Sequence, residues 1–95
     1  MIKIPPLAVT AARNLLNLTQ QELADVCQIS HATLSGVEGG TVQPRAETMR
    51  KIARELTKRG IEFSNGTGIG VRLDYKKAAA YKASLSEQPP VEDVD

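Results

Sequence analysis

The chain has 95 residues, with 12 Lys and Arg against 11 Asp and Glu, and only three aromatic side chains. That is room for one small domain plus extensions, with an aliphatic core that helix packing must close. A single cysteine excludes an intrachain disulfide and suits a reducing cytoplasm, no apolar run approaches the ~18 residues of a membrane span, and MIKIPP lacks the apolar stretch of a signal peptide.

Pro5 and Pro6 stop any earlier helix and favour the start of the next. A first helix is predicted from about Leu7 to Leu16, with Val9, Ala12 and Leu16 inward and Asn17 as a left-handed terminator. Thr19 followed three residues later by Glu22 is a capping box, so a second helix starts at Gln20 and runs to about Cys27. Leu23, Ala24 and Cys27 line its inner side, and Ile29 plugs the turn that follows. Ser30 can cap a third helix over about His31 to Val37, with Leu34 and Val37 inward. Helices of about eight residues cannot hold themselves together, so these two need neighbours around a shared core. What they leave exposed is His31, Ala32, Thr33, Ser35 and Gly36, a face of small and polar side chains suited to a DNA groove.

Gly39, Gly40 and Pro44 mark a loop, and a fourth helix is predicted over about Ala46 to Arg59, ended by Gly60. Met49, Ile52, Ala53 and Leu56 form its apolar stripe, with Arg50, Lys51, Arg54 and Lys58 elsewhere. IEFS, then NGTG, then IGVRL read as a turn-centred segment with apolar flanks, in which Asn65-Gly66 is a hairpin signal. A two-stranded hairpin must dock or pair with something to be stable. YKKAAAYKASL, residues 75–85, favours helix but has a thin apolar face, and residues 86–95 are expected to be disordered. The expected organisation is therefore mainly α. Residues 1–60 form a compact four-helix helix-turn-helix domain, 61–74 a β-hairpin extension, and 75–95 a short helical or disordered acidic tail.

Charge is unevenly spread. Residues 1–82 hold all 12 basic residues against seven acidic ones, a net +5, whereas the last 13 carry four acids and no base. A basic domain with an acidic end fits a DNA binder of moderate affinity, although any soluble domain can split this way by chance.

The segment from Thr19 to Gly40 resembles the helix-turn-helix of the Cro/C1-type (XRE) family of phage and bacterial repressors. The matching elements are Thr19, Gln20, Glu22, Leu23 and Ala24, then Ser30, Thr33, Leu34 and Ser35, then Glu38 with Gly39 and Gly40. With Pro44 and the helix after it, the resemblance covers roughly residues 7–59. It implies a lambda-repressor-like fold and a cytoplasmic, sequence-specific regulator of transcription. The expected regulator is a dimeric repressor on a palindromic operator in double-stranded DNA, with a recognition helix at about residues 31–38. DNA contacts would then come from Gln20, Gln21, Ser30, His31, Ala32, Thr33, Ser35 and Gly36, with Thr41, Gln43 and Arg45 from the following loop. Gln20 would touch a backbone phosphate and brace the recognition helix. Ala32 and Thr33 offer methyls to thymine, and His31 and Ser35 offer hydrogen bonds. Arg45 stands where the family often has a capping Ser, and an Arg there can lie along a narrow minor groove. Arg13 and Glu38 match a largely buried ion pair that joins the first and third helices. The hairpin after Gly60 also looks like a trait of small repressors of this family.

Two positions depart from the pattern. Gln28 replaces a glycine that normally takes positive φ, and Gly36 replaces a side chain, through either close backbone approach to DNA or tolerated drift. Ile61, Phe63, Ile69, Val71 and Leu73 exceed what a lone hairpin can cover and are candidates for a homodimer interface. The alternative is a hairpin packed on its own fourth helix, with the dimer made by that helix and its preceding loop.

Catalysis is not expected. Gly66, Gly68 and Gly70 lack the strand-loop-helix setting of a nucleotide site. One His and one Cys supply neither a metal set nor a nucleophile triad, so no metal or cofactor is expected. Cys27 reads as a small buried hydrophobe. Two other functions compete: an antitoxin that autoregulates its operon and binds a protein partner through the C-terminal region, and an interaction module that no longer binds DNA.

Overall fold

Most helices begin where the sequence supplies a reason to begin. The structure, a computed structural model, describes residues 4–86. Helix α1 (Pro6–Leu15) follows Pro5 in extended conformation, and Pro6 at the first turn dispenses with a side-chain cap. Asn17 then takes φ 62° and turns the chain out of the helix. Helix α2 (Gln20–Cys27) starts on a complete capping box. The Thr19 hydroxyl accepts from the Glu22 N–H at 3.0 Å, and Glu22 Oε1 accepts from the Thr19 N–H at 2.8 Å. Gln28 ends α2 at φ 59° and ψ 44°, a left-handed conformation that costs a side-chain-bearing residue about 1 kcal/mol. Helix α3 (His31–Gly39) is capped by Ser30, whose Oγ accepts from the Thr33 N–H at 3.0 Å, and Gly40 closes it at φ 73°. It is two residues longer than predicted, because Gly39 continues the helix and Gly40 takes the terminating role.

Helix α4 (Ala46–Lys58) has Arg45 at its N-cap and no side-chain cap bond. Its stability comes from packing, with Ile52 and Leu56 wholly buried. Around them gather Val9 and Ala12 of α1, Leu23, Ala24 and Cys27 of α2, and Leu34 and Val37 of α3, as one core. Each fully buried Leu or Ile contributes about 1.5–3 kcal/mol relative to exposure.

Strands β1 (Ile61–Ser64) and β2 (Gly70–Leu73) form an antiparallel pair. The hairpin is present, but without the two-residue turn that an Asn-Gly pair favours. Five residues, 65–69, connect the strands, and neither Asn65 nor Gly66 takes the positive φ that a type I′ turn needs. The reason lies in register. Ile61 pairs with Leu73 and Phe63 with Val71, which puts four apolar side chains on one face toward the core. A two-residue turn at Asn65-Gly66 would instead oppose Phe63 to Gly68 and Ile61 to Gly70, so the apolar face overrides the local turn signal. The hairpin docks with β2 on α1 and β1 on α4, and Ile61 is 1 % exposed within the same core as the four helices.

Gly60 makes the junction possible. Its φ of 108° suits glycine, and a Cβ there would lie 2.9 Å from the Ala78 nitrogen and 3.1 Å from the Asp74 carbonyl oxygen. The Gly60 carbonyl accepts from the Asp74 N–H at 2.8 Å, bringing the far end of the hairpin back to its start. Helix α5 (Tyr75–Ser86) begins there, capped by Asp74, whose Oδ2 accepts from the Lys77 N–H at 2.8 Å. Arg59, bonded to Glu55, lies over the Tyr81 ring at 5.0 Å. The disorder expected for residues 86–95 falls outside the described residues, apart from Ser86, which closes α5.

Candidate nucleic-acid interface

α3 presents its first turns to solvent because its inner side is taken by Leu34 and Val37. His31, Ala32 and Ser35 are exposed, and Thr33 is half-buried. Ser30 and Thr33 also bond to each other, with Ser30 Oγ donating to Thr33 Oγ1 at 2.8 Å, so each retains only part of its capacity for an outside partner.

Gly36 corrects the expectation of an exposed face. It is buried, and the backbone behind it is covered by the loop that follows α3. The Thr41 and Val42 N–H groups both donate to the Gly36 carbonyl, at 3.0 and 3.2 Å. A Cβ on Gly36 would lie 2.3 Å from Val42 Cγ2. The missing side chain makes room for this loop. Thr41, Gln43 and Arg45 lie exposed along it and at the start of α4.

Beneath this face a polar network joins α1, α2 and α3. Arg13 donates to Glu38 through Nε at 2.8 Å and Nη2 at 3.0 Å, and its Nη1 donates to the Leu18 carbonyl at 2.9 Å. The Glu38 side chain is 4 % exposed and that of Arg13 15 %. Thr10 Oγ1 and Gln20 Nε2 also donate to Glu38 Oε1, at 3.0 and 3.1 Å. Burial pushes the Glu38 carboxyl up, but hydrogen bonds from Arg13, Gln20 and Thr10, with the Arg13 charge, outweigh it and hold the group below its ordinary value. Gln20 continues outward, its Oε1 lying 3.1 Å from His31 Nε2. Gln21 is exposed and donates to Asp25 along its own helix at 2.9 Å. Sequence reasoning missed Thr10 and the Gln20–His31 contact. Thr10 sits three residues before Arg13 on the same helix face, a spacing that would have pointed to it.

A family model described as helix-turn-helix matches residues 9–63, more than half of the chain. The chain belongs to the Cro/C1-type helix-turn-helix family. This family consists of DNA-binding transcription regulators, and α2 and α3 are the helix-turn-helix of this one. No curated protein matches the chain.

The other candidate residues of this Cro/C1-type regulator fall away from that face. Ile61 lies in the core, and Phe63, Val71 and Leu73 pack half-buried against it, while Ile69 is 54 % exposed at the hairpin tip. The tip, the start of α1, the loop after α3 and the first half of α4 enclose an apolar groove of about 1160 Å³. Met49, Val42, Ile69 and Ala53 line it, with Arg50 and Arg54 at the same site. Cys27 is 2 % exposed, and burial, with Glu55 nearby, pushes its thiol up to about 11, so it stays protonated and unreactive. Among the described residues, no group of three or more His, Cys, Asp or Glu could hold a metal, and no helix is long and apolar enough to cross a membrane.

Proposed function

We propose that this regulator is a dimeric repressor that reads a palindromic operator through α3. The observation that carries the reading is α3 itself. Its outer face offers His31, Ala32 and Ser35 to solvent, while its inner face and its end at Glu38 are fixed to α1 and α2. A helix held this way can enter a major groove without losing order, and its N-terminal residues are those that meet base edges. Gln20, Gln21, Ser30 and Thr33 flank that face, and Thr41, Gln43 and Arg45 extend it toward phosphates or a minor groove. The fold sets Gly36 behind the face, where it shapes the loop.

A single short helix reads too few base pairs, and a palindrome needs a two-fold partner. The apolar groove beside the loop and α4 supports a dimer built there, with exposed Ile69 and Val42 at its border. Ile61, Phe63, Val71 and Leu73 are already used inside one copy. The test is binding of DNA from upstream of the protein's own gene, with stoichiometry from analytical ultracentrifugation. Two chains per site and loss of binding in His31→Ala support the reading. One chain per site, or unchanged affinity at fixed salt, rejects it.

The second reading is an antitoxin that represses its own operon. It is favoured by the exposed Leu85 on α5, which lines a cleft of about 430 Å³ with Leu15, Leu18 and Tyr81, and by the exposed Tyr75 at the start of that helix. Co-purification of a small protein encoded next to the gene, lost on Leu85→Asp, distinguishes it.

A further inference from the structure

Gln20 stands in the middle of a hydrogen-bond chain that runs from the α1–α3 ion pair to the first residue of α3. One end of its amide lies 3.1 Å from Glu38 Oε1, and the other lies 3.1 Å from His31 Nε2. The two ends of an amide can exchange by a flip, so the partners must decide which atom faces which. Glu38 decides. It is an almost fully buried carboxylate that accepts from Thr10 and twice from Arg13, and an ionised carboxylate has no proton to give. The atom of Gln20 facing it must therefore be the NH2 nitrogen. That turns the Gln20 oxygen toward His31, and a carbonyl oxygen only accepts, so His31 Nε2 must carry a proton. A neutral imidazole has one N–H, which leaves Nδ1 as an acceptor.

We propose that Gln20 is a positioning residue that locks His31 as the Nε2–H tautomer, so that His31 reads a hydrogen-bond donor on DNA through Nδ1. In the major groove those donors are the exocyclic amines, N6 of adenine and N4 of cytosine. Guanine and thymine offer only acceptors and a methyl on that edge, so neither satisfies a locked His31. The proposal rests on the reading of α3 as the recognition helix. It also assigns the amide of Gln20, whose NH2 donates to Glu38.

The lock can be tested without DNA, because the chain holds a single histidine whose ring nitrogens are unambiguous by 15N NMR. In mildly alkaline buffer the wild-type protein should show an unprotonated Nδ1 and an Nε2 proton that exchanges slowly with water. Gln20→Leu removes the acceptor and keeps an aliphatic stem, so that proton should exchange about tenfold faster. A protonated Nδ1 in the wild type, or equal exchange in the variant, overturns the lock.

The readout is tested on a duplex recovered from a randomised pool by rounds of binding. Purine in place of adenine, or 2-pyrimidinone in place of cytosine, removes one amine at a time. At the position His31 reads, affinity should fall about tenfold for the wild type and no further for His31→Ala. The 7-deaza purines remove an acceptor instead. Should His31 sense that change and ignore amine loss, it donates to DNA, and the proposal is wrong. A chain that selects no duplex removes the DNA reading and the readout with it, while the NMR result still decides the lock.

Discussion

α3 and α5 are both short and weakly amphipathic, yet they are held in opposite ways. α3 buries Leu34, Gly36 and Val37 and is tied at both ends, by Ser30 at its start and by Glu38 near its finish. α5 has no buried residue between 75 and 85 and depends on polar contacts: the Asp74 cap, Lys77 with Glu62 at 2.8 Å, and Arg59 over Tyr81. Arg72 also pairs with Glu62 on the exposed side of the hairpin. The lesson is that the element proposed to meet DNA is positioned by burial on its other side. The accessory helix is positioned by contacts that water and salt can compete for.

The largest effect should come from cutting the tie on α3. Arg13→Ala leaves a desolvated carboxylate and Glu38→Ala a poorly solvated guanidinium, so each should lower stability by about 3–5 kcal/mol in chemical denaturation. Loss under about 1 kcal/mol in both would mean that the pair contributes little to holding α3. The pair also sets an acid limit. A carboxylate whose folded pKa is depressed adds stability above its unfolded value of about 4.3, and loses it as pH falls through the folded value. Urea midpoints of the wild type should thus fall below about pH 4 more steeply than those of Glu38→Gln.

Gly60→Ala comes next. A Cβ in that conformation meets backbone at the start of α5, and the combined strain and overpacking should cost about 2–4 kcal/mol. Hydrogen exchange should rise first in the hairpin and α5. A variant that melts with the wild type would show that this junction shifts freely.

Gly36→Ala sharpens the comparison from inside α3. Alanine favours helix by about 1 kcal/mol, but its methyl would collide with Val42, whose loop is pinned by two hydrogen bonds to the Gly36 carbonyl. The net result should be a loss of about 1 kcal/mol, restored by pairing it with Val42→Ala. If Gly36→Ala alone raises the melting temperature, the loop yields and the glycine is drift.

The smallest effect is expected in α5. Raising salt to about 1 M shortens the screening length to about 3 Å. Amide exchange in residues 75–85 should then quicken while α3 stays protected. Glu62→Gln should reproduce that change at low salt, since its carboxyl is held down by Lys77 and Arg72. Equal salt response in both helices would erase the distinction drawn between them.

Much of this was legible in the sequence because the signals were local. Thr19 and Glu22, Ser30, Asn17 and the stripe of α4 act within one or two turns, and each helix lies within two residues of the bounds they predict. Gln28 was readable as a left-handed residue only through the resemblance, because the family normally carries glycine at that place in the turn. The hairpin register was not readable from Asn65-Gly66, since the deciding term is burial of Ile61, Phe63, Val71 and Leu73 against helices 40 or more residues earlier in the case of α1. Gly60 and Gly36 were equally opaque: the atoms that exclude a side chain belong to Ala78, Asp74 and Val42, and only the fold brings them there. In the candidate site, the exposed side chains of α3 followed from its periodicity. The path from Glu38 through Gln20 to His31 joins residues 11 and 18 apart: the resemblance gave Gln20 a bracing role, but not these partners.

His31, Ala32 and Ser35 lie outside the hydrophobic core. If those three side chains carry the readout proposed above, a lineage with this fold can exchange them and acquire a new target without touching its core. On that reading, stability and address are separate heritable properties. A regulator of this build can diverge in what it controls long before it diverges in shape.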